Sequence, residues 1–354
     1  MRSFTYELLP GRVVFGAGTI VRLPFELDVL EASRVVLISD NMAKTDADQI
    51  ESDLGGRVVG RIGEIEPHVP IEKVEAARRL TDDRQADAVV TIGGGSTTGV
   101  GKAIVLEKEL SFLAIPTTYA GSEMTPIYGI TAGDVKRTGR DPRVKPKTVI
   151  YDVDLTLDLP TEVTSGSTMN ALAHCVEALY AQERSPIVSM MALEGIRALK
   201  RGSVVVAGDP GNVDGRSDLL YGAFLAGASL GAVGMAIHHR ICHVLGGTFG
   251  LAHGDANAVI LPHVVAYNRG AEPEVMAALA DALGVAEPAQ GIRDLAETLG
   301  APTSLSDLGI KEPDLDRATE MIVDGGGYNP RSVERKWIRQ LLEDAFTGRP
   351  PSAQ

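Results

Sequence analysis

The chain has 354 residues, of which 44% are hydrophobic, enough for packed cores and, at this length, for two domains. Its formal net charge of −13 would repel nucleic acid and anionic membrane surfaces, so we expect neither as a partner. The chain has only two cysteines, Cys175 and Cys242, and its first residues lack an apolar signal segment. These features exclude a disulfide framework and predict a cytoplasmic protein.

The first 156 residues predict a parallel sheet covered by helices. Apolar runs typical of buried strands occur at 35–39, 58–61, 88–92, 112–116 and 149–151, and a helix is predicted over 71–84. Residues 4–16 alternate in polarity around Pro10-Gly11, which favours a β-hairpin. Strands that alternate with helices are typical of an α/β domain.

A glycine-rich loop follows the strand predicted at 88–92. Its residues are Gly93, Gly94, Gly95, Ser96 and Thr97. Glycines let a phosphate approach the backbone, the N–H groups of the following helix point towards it, and hydroxyl groups add hydrogen bonds. With a helix predicted to begin near Thr98, the loop indicates a pyrophosphate site, although it is neither G-x-G-x-x-G nor a P-loop.

Two more stretches at predicted strand ends favour cofactor binding. Asp40 follows the strand 35–39 and is either a ribose acceptor, which would favour NADH by repelling a 2′-phosphate, or an ordinary turn or helix-cap aspartate. A loop rich in hydroxyl groups follows the strand 112–116, at the strand end where open α/β sheets bind ligands. Its candidate cofactor-binding residues are Thr117, Thr118, Tyr119 and Ser122.

The remainder of the chain, from residue 157, predicts a helical domain. Helices are predicted at 163–183, 186–201, 215–245, 256–268, 273–284, 289–299, 313–324 and 331–346. The uncharged stretch 219–237 has the length of a membrane span, but its glycines indicate a buried core helix that neighbouring helices approach closely.

Five of the seven histidines lie between residues 238 and 263. His239 and His243 are four residues apart, which places both rings on one helix face, and the glycines that follow allow a turn that brings His253 to the same point. Asn170 and His174 repeat the four-residue step upstream. The pattern predicts a catalytic or metal site, because helical metal sites use the His-x3-His step. We expect His238 and His263 to lie at its periphery.

These motifs give the chain a resemblance to a known family. The glycine loop, Ile115-Pro116-Thr117-Thr118, His239-x3-His243 and His253-Gly254-x2-Asn257-Ala258 resemble the iron-containing alcohol dehydrogenase family. The resemblance implies a dehydroquinate synthase-like fold, with an α/β Rossmann-like domain at 1–156 and an all-α domain at 157–354. It also implies NADH or NADPH as cofactor and a homodimer. The family's metal ligands would fall on Asn170, His174, His239 and His253, and its further active-site histidine on His243.

Within that family the chain most resembles the maleylacetate reductases, at residues 118–129, 138–144 and 242–250. The implied reaction is NAD(P)H-dependent reduction of maleylacetate, a small dicarboxylate, to 3-oxoadipate in the degradation of aromatic compounds. Arg143, Lys136 and Arg240 are candidates to bind the carboxylates. Asn170 stands where metal-dependent members have an anionic aspartate, and a carboxamide offsets none of a dication's charge, so we expect a reaction without a metal.

Two alternatives remain open from the sequence. Gly254-Asp255-Ala256-Asn257 resembles the metal-dependent alcohol dehydrogenases, so an iron- or zinc-dependent alcohol or polyol dehydrogenase is the second interpretation. The third interpretation is a catalytically silent nucleotide-binding protein, and the complete set of histidines argues against it.

Overall fold

The computed structural model describes residues 4–6, 11–66, 69–133 and 135–352, without the side chains of Val135 and Lys136. The chain forms two compact units, Leu8–Leu159 and Pro160–Gln354, and residues 4–6 group with the second. The units therefore divide at Leu159–Pro160, a few residues beyond the boundary expected from the sequence.

The first unit is built on a parallel sheet. Its six strands are β1 (Arg12–Gly16), β2 (Val35–Ser39), β3 (Val58–Ile62), β4 (Ala88–Gly93), β5 (Ser111–Pro116) and β8 (Thr148–Asp152). Between β5 and β8 the chain forms a separate antiparallel hairpin of β6 (Ile127–Ala132) and β7 (Val135–Arg140). The sheet order is β1-β8-β5-β4-β2-β3, and every neighbouring pair is parallel. All residues of β2, β4 and β8 are buried, which explains their continuous apolar sequences.

Helices cover both faces of this sheet. They are α1 (Leu23–Val29), α2 (Lys44–Leu54), α3 (Ile71–Asp83) and α4 (Gly95–Val105). On one face α1 and α2 pack against alternate strand residues such as Leu37, and on the other α3 and α4 pack against the intervening ones such as Val36. The predicted α/β sheet with two covered faces is confirmed.

Two local predictions for this unit were wrong or incomplete, and a third stays untested. Strand β1 pairs with β8, residues 4–6 form no strand, and the rest of the predicted first arm lies outside the described residues, so the β-hairpin stays a prediction. Helix α4 begins at Gly95 rather than near Thr98. The β6–β7 hairpin was not predicted, because its basic residues do not give the alternating pattern of a half-buried strand.

The second unit is helical. Its helices are α5 (Thr161–Tyr180), α6 (Pro186–Gly208), α7 (Val213–Ala232), α8 (Ile237–Phe249), α9 (His253–Asn268), α10 (Pro273–Leu283), α11 (Pro288–Thr298), α12 (Glu312–Asp324) and α13 (Arg335–Thr347). Helices α8, α9, α12 and α13 share one apolar core, in which Ile241, Ile260 and Leu342 are fully buried.

The helix predicted over 215–245 is two helices. Residues 233–236 separate α7 from α8, and the two are bent by 101°. Within α7, Gly222 lies so close to α6 that an added Cβ would be 2.6 Å from Leu199 Cγ, so the close approach predicted from the glycines is present. Among the described residues no single helix is long and apolar enough to cross a membrane, and only the bent pair α7 and α8 together reaches that length and composition.

Candidate active site

The helical unit brings four imidazoles together. Helix α5 carries His174, α8 carries His239 and His243, and α9 begins at His253. The His239 ring centroid lies 4.9 Å from that of His174, 6.3 Å from His243 and 6.4 Å from His253, and the His243 and His253 centroids are 5.9 Å apart. The convergence expected from the four-residue steps is therefore observed. We call these four rings the histidine cluster.

A backbone contact between glycines explains how His253 reaches this cluster. An added Cβ on Gly254 would lie 2.6 Å from Gly166 Cα, so the start of α9 lies directly against α5. Gly166, Asn170 and His174 are four residues apart and share one face of α5. The close approach therefore places His253 beside the face that carries Asn170 and His174.

Glu177 is the site residue that the sequence reasoning missed. It is fully buried on α5, and its Oε2 accepts hydrogen bonds from the His239 Nδ1–H at 2.8 Å and from the Ala236 N–H at 3.0 Å. Its Oε1 accepts the His238 N–H at 2.7 Å. Glu177 follows His174 by three residues and Asn170 by seven, so the same helical spacing that identified those two residues also identifies Glu177.

The two buried rings of the cluster are neutral. Burial first, and then the neighbouring imidazoles, hold the pKa of His174 and the pKa of His239 well below the ordinary value. Because His239 donates through Nδ1 to Glu177, its Nε2 carries a lone pair. His174 Nδ1 and His239 Nε2 are buried and have no hydrogen-bond partner among the described residues. At neutral pH these two rings therefore do not supply a proton as imidazolium.

The other two rings, His243 and His253, are exposed and nearly parallel, with an interplanar angle of 21°. Exposure to solvent and contact with the buried pair make them the better candidates for proton transfer. His238 is fully buried and edge-on to His239 at 5.1 Å, so it supports the cluster from within. Its Nε2 lies 2.7 Å from Asn257 Oδ1, and Asn257 Nδ2 donates to the His253 carbonyl.

The donor atoms of the site bear on whether it binds the divalent metal ion of the family. The cluster offers neutral imidazole nitrogens, and Asn170 offers a neutral carboxamide. The buried carboxylate of Glu177 already accepts three N–H groups, including that of His239. In the part of the chain that the structure describes, no three His, Cys, Asp or Glu side chains are arranged as metal ligands. These donors therefore include no anionic ligand in the described part of the chain, and a reaction without a metal stays a prediction.

In the α/β unit, residues predicted to bind a nucleotide lie together at the carboxyl ends of β2 and β4. Asp40 Oδ2 accepts hydrogen bonds from the Gly94 N–H at 3.0 Å and the Thr97 hydroxyl at 2.9 Å, and Oδ1 accepts the Ala43 N–H at 3.0 Å. The turn-aspartate role is therefore present, and a ribose contact stays a prediction. Gly93 has φ of 147°, and a Cβ there would lie 2.6 Å from Thr97 Oγ1, so this position requires glycine.

The loop after β5 lies directly against this glycine loop. The Thr117 N–H donates to the Gly93 carbonyl at 3.1 Å, and the Thr118 side chain is 3.3 Å from the position of a Cβ on Gly94. Ser96 and Ser122 are half-buried, and their predicted cofactor contacts stay predictions. Tyr119 is fully buried, and its predicted cofactor contact also stays a prediction.

The three cations predicted to bind carboxylates have different surroundings. Arg143 is exposed, and its Nη2 is paired with Asp141 Oδ2 at 2.7 Å in the α/β unit. The side chain of Lys136 lies outside the described residues. Arg240 is half-buried on α8, next to His239 in sequence, and its Nη1 lies 3.4 Å from the Ile322 carbonyl oxygen, a long and therefore weak hydrogen bond. Arg240 is therefore the one candidate placed on a helix of the histidine cluster.

Comparison with known families identifies this arrangement. The model of iron-containing alcohol dehydrogenases matches residues 10–153, and the model of the C-terminal part of that family matches residues 164–346. The chain belongs to the iron-containing alcohol dehydrogenase family. These matches cover both units, and the resemblance inferred from the short motifs is confirmed.

Several members of this family are similar along their whole length. A maleylacetate reductase of Burkholderia cepacia is 48% identical over 99% of this chain and 100% of its own. The crystal structure of a maleylacetate reductase from Agrobacterium tumefaciens has a TM-score of 0.96 at 44% identity and covers 99% of this chain and 100% of its own. That of a Rhizobium maleylacetate reductase has the same TM-score, identity and coverage. The predicted α/β plus all-α fold is thereby confirmed.

Proposed function

We propose that this member of the iron-containing alcohol dehydrogenase family reduces maleylacetate to 3-oxoadipate with NADH or NADPH. The observation that carries the proposal is the 48% identity, over 99% of the chain, to a maleylacetate reductase. The geometry of the histidine cluster supports it, because two exposed imidazoles stand beside the buried pair and imidazole is a side chain suited to proton transfer near neutral pH.

The reaction adds one hydride and one proton across a carbon–carbon double bond. The bond is conjugated to a ketone, so hydride from the reduced nicotinamide adds to the alkene carbon β to that ketone and an enolate forms. The nicotinamide leaves oxidised, and a proton delivered to the α carbon completes the ketone product. We assign this proton transfer to His243, with His253 beside it, because their rings are the exposed members of the cluster.

The substrate carries two carboxylates, which need cations in a protein of net charge −13. We propose Arg240 for one of them. Burial lowers the pKa of this guanidinium, which still remains charged at neutral pH, and its five N–H donors exceed the single weak bond to the Ile322 carbonyl. Arg143 and Lys136 remain candidates for the other carboxylate.

We further propose that the reaction needs no metal and that NADH is preferred. A reaction without a metal is supported by the neutral carboxamide of Asn170 and by the Glu177 carboxylate, which already accepts three N–H groups. One observation favours an iron- or zinc-dependent alcohol dehydrogenase instead: a histidine whose second nitrogen is held by a carboxylate, as His239 is by Glu177, is the usual arrangement of a metal ligand. A cytoplasmic homodimer is also proposed, and analytical ultracentrifugation tests the dimer.

The decisive experiment follows NADH oxidation by the purified chain with maleylacetate and, in parallel, with a panel of aldehydes and ketones. We expect rapid oxidation with maleylacetate, little with the panel, and no loss after chelation and dialysis. Turnover of the panel that disappears on chelation would establish the alcohol dehydrogenase instead. Nucleotide binding without any turnover would support the catalytically silent protein.

A further inference from the structure

A buried lysine lies behind the nucleotide site of the α/β unit. Lys102 is on α4, about two turns beyond the glycine loop, and is only 1% exposed. Its Nζ donates to the Thr125 carbonyl at 2.9 Å, the Thr125 hydroxyl at 2.9 Å and the Ile127 carbonyl at 2.6 Å. All three donors of the ammonium group are therefore directed to one short segment, the end of the loop that follows β5.

The same segment is tied to the sheet by a second buried charge. Glu123 is 1% exposed, and its Oε1 accepts the Tyr151 hydroxyl of β8 at 2.6 Å. The Glu123 carboxylate also acts electrostatically on Lys102. Lys102 thus holds the residues just after the turn Ser122–Met124, and Glu123 ties the turn itself to β8.

Thr125 passes this restraint back along the loop. Its hydroxyl accepts from Lys102 and donates to the Ser122 carbonyl at 3.0 Å, and the Thr125 N–H donates to the same carbonyl at 3.1 Å. At its other end the loop is held by the Thr117 N–H bond to Gly93. Residues 117–122 are therefore fixed at both ends, and Lys102 supplies the far anchor.

The sheet order assigns this loop a place along an extended dinucleotide. Asp40, the glycine loop and the loop after β5 stand at the carboxyl ends of β2, β4 and β5, which are consecutive neighbours in the sheet. A cofactor with its adenosine ribose near Asp40 and its pyrophosphate on the glycine loop continues towards the end of β5. The loop held by Lys102 therefore faces the nicotinamide half.

Burial of an ammonium group away from water carries a large desolvation cost, and an apolar side chain of similar length would fill the same space without that cost. Burial accordingly lowers the pKa of Lys102 to about 7. The three hydrogen bonds of Lys102 orient the loop after β5, which an apolar side chain of the same size would not do.

We propose that Lys102 is a positioning residue that, through Thr125 and Ser122, fixes the loop against which the nicotinamide half of the cofactor lies. The inference rests on the proposed function, because it requires that the chain uses a nicotinamide dinucleotide. Lys102 touches neither cofactor nor substrate in this role; it acts through the loop.

The test compares Lys102→Met with the unmodified protein, using ADP-ribose as a probe that lacks only the nicotinamide. We expect the Kd of ADP-ribose to change by less than about twofold and the Kd of NADH to rise several-fold. The kcat with maleylacetate should fall by about 100-fold, the loss typical of a misplacement near 1 Å. Lys108→Met is the matched control, since Lys108 is a more exposed lysine of the same unit paired with Asp82 at 2.7 Å, and its kinetics should not change.

A second variant, Thr125→Val, tests the inference if Lys102→Met does not fold. It removes the hydroxyl that links Lys102 to Ser122 and that also accepts the Ile127 N–H. We expect a fall in kcat of about fivefold with unchanged ADP-ribose binding, since one neutral hydrogen bond is worth about 1 kcal/mol. Equal loss of ADP-ribose and NADH binding, or unchanged kcat in a folded variant, would overturn the inference. Absence of maleylacetate turnover in the unmodified protein would instead overturn the proposed function, and ADP-ribose binding separates the two failures.

Discussion

Asp40 connects the fold of the α/β unit to the choice of cofactor. Its carboxylate accepts three hydrogen bonds from the protein, and its charge lies at the strand end where a ribose is expected. We predict that Asp40→Ser shifts the ratio of kcat/KM for NADH over NADPH by at least about tenfold towards NADPH, since tenfold corresponds to only ~1.4 kcal/mol of lost repulsion.

The control for Asp40 is Asp87, which binds the backbone of Ser33 and Arg34 just before β4 begins. Asp87→Ser removes a comparable set of hydrogen bonds and should leave the cofactor ratio unchanged. Equal kcat/KM for both cofactors in the unmodified protein, with no effect of Asp40→Ser, would remove Asp40 from cofactor selection.

His243 carries the proposed proton transfer. Replacement by alanine should lower kcat by about 100-fold and leave the Kd of NADH near normal, because a positioned proton donor acts on the chemical step. His263→Asn is the control, since His263 is a buried imidazole of α9 that the mechanism does not use. A His243→Ala enzyme with unchanged kcat would make His243 a structural residue.

Asn170 determines what the cluster offers to a metal. We predict that the unmodified protein keeps its activity after chelation and dialysis, and that Asn170→Asp raises affinity for zinc or ferrous iron by supplying the missing anionic ligand. The same change should slow the maleylacetate reaction by placing a negative charge near a dianion. Elemental analysis of the purified protein tests this prediction. It would be contradicted by one tightly held metal per chain, together with activity that is lost on chelation and restored by adding the metal back.

At the scale of elements, Glu177 holds the start of α8 from a different helix. The N–H groups of Ala236 and His238 belong to the N-terminal end of α8, where backbone donors lack intrahelical partners. Glu177→Gln puts an amide NH2 among three donors. We therefore expect a loss of about 1–3 kcal/mol in the free energy of unfolding, measured by urea titration.

Glu183 offers the matched comparison, because it is exposed and accepts a single N–H group, that of Gly234, in the same break between α7 and α8. Glu183→Gln should change the free energy of unfolding by less than about 0.5 kcal/mol. Similar losses in both variants would mean that Glu177 has no special role at the start of α8.

The break between α7 and α8 also shows where prediction from sequence fails. Its residues, Val233 to Ala236, continue the apolar pattern of α7, so local sequence predicts one helix through 245. At the end of the break the Ala236 N–H donates to Glu177, which is about sixty residues earlier in the chain and lies on the packed helix α5. The contact at the boundary between α7 and α8 therefore comes from a residue distant in sequence, and the hydrophobic periodicity of the local sequence does not indicate it.

Other elements were predictable because their sequence and their surroundings agree. Strands β2 and β4 are buried on both faces and are apolar apart from Ser39 and Thr91. The histidine spacing correctly placed His239 and His243 together, because helical geometry aligns residues four apart, whereas His253 reaches them through the close contact of Gly254 with Gly166. Lys102 gave no such signal, because a lysine in a helix ordinarily indicates a solvent-exposed face.

At the scale of the whole molecule, the two units allow stability to be measured separately. Trp337 is the only tryptophan of the chain and packs against the core of the helical unit, so its fluorescence reports the unfolding of that unit. His263 lies in the same unit, and burial lowers its pKa to about 4.

The unfolded chain binds a proton at His263 more readily than the folded protein, so its contribution to stability is present above pH 6.5 and is lost as the pH falls towards 4. From pH 7.5 to pH 5 the loss is about 2 kcal/mol. We predict that His263→Asn makes the fall in the free energy of unfolding over this range smaller by about that amount, followed by Trp337 fluorescence in urea. Parallel pH profiles for both proteins would show that His263 is protonated equally in the two states.

The pairing of β1 with β8 has a consequence for the time course of synthesis. Among the described residues the first strand of the sheet has only the last as its neighbour, so Arg12–Gly16 leaves the ribosome long before Thr148–Asp152 exists. At about 5–20 residues per second the delay is on the order of ten seconds. During this delay Val13 and Phe15 form a nascent apolar segment that chaperones or another nascent copy can bind. Both side chains remain partly exposed even in the folded chain, at 37% and 36%.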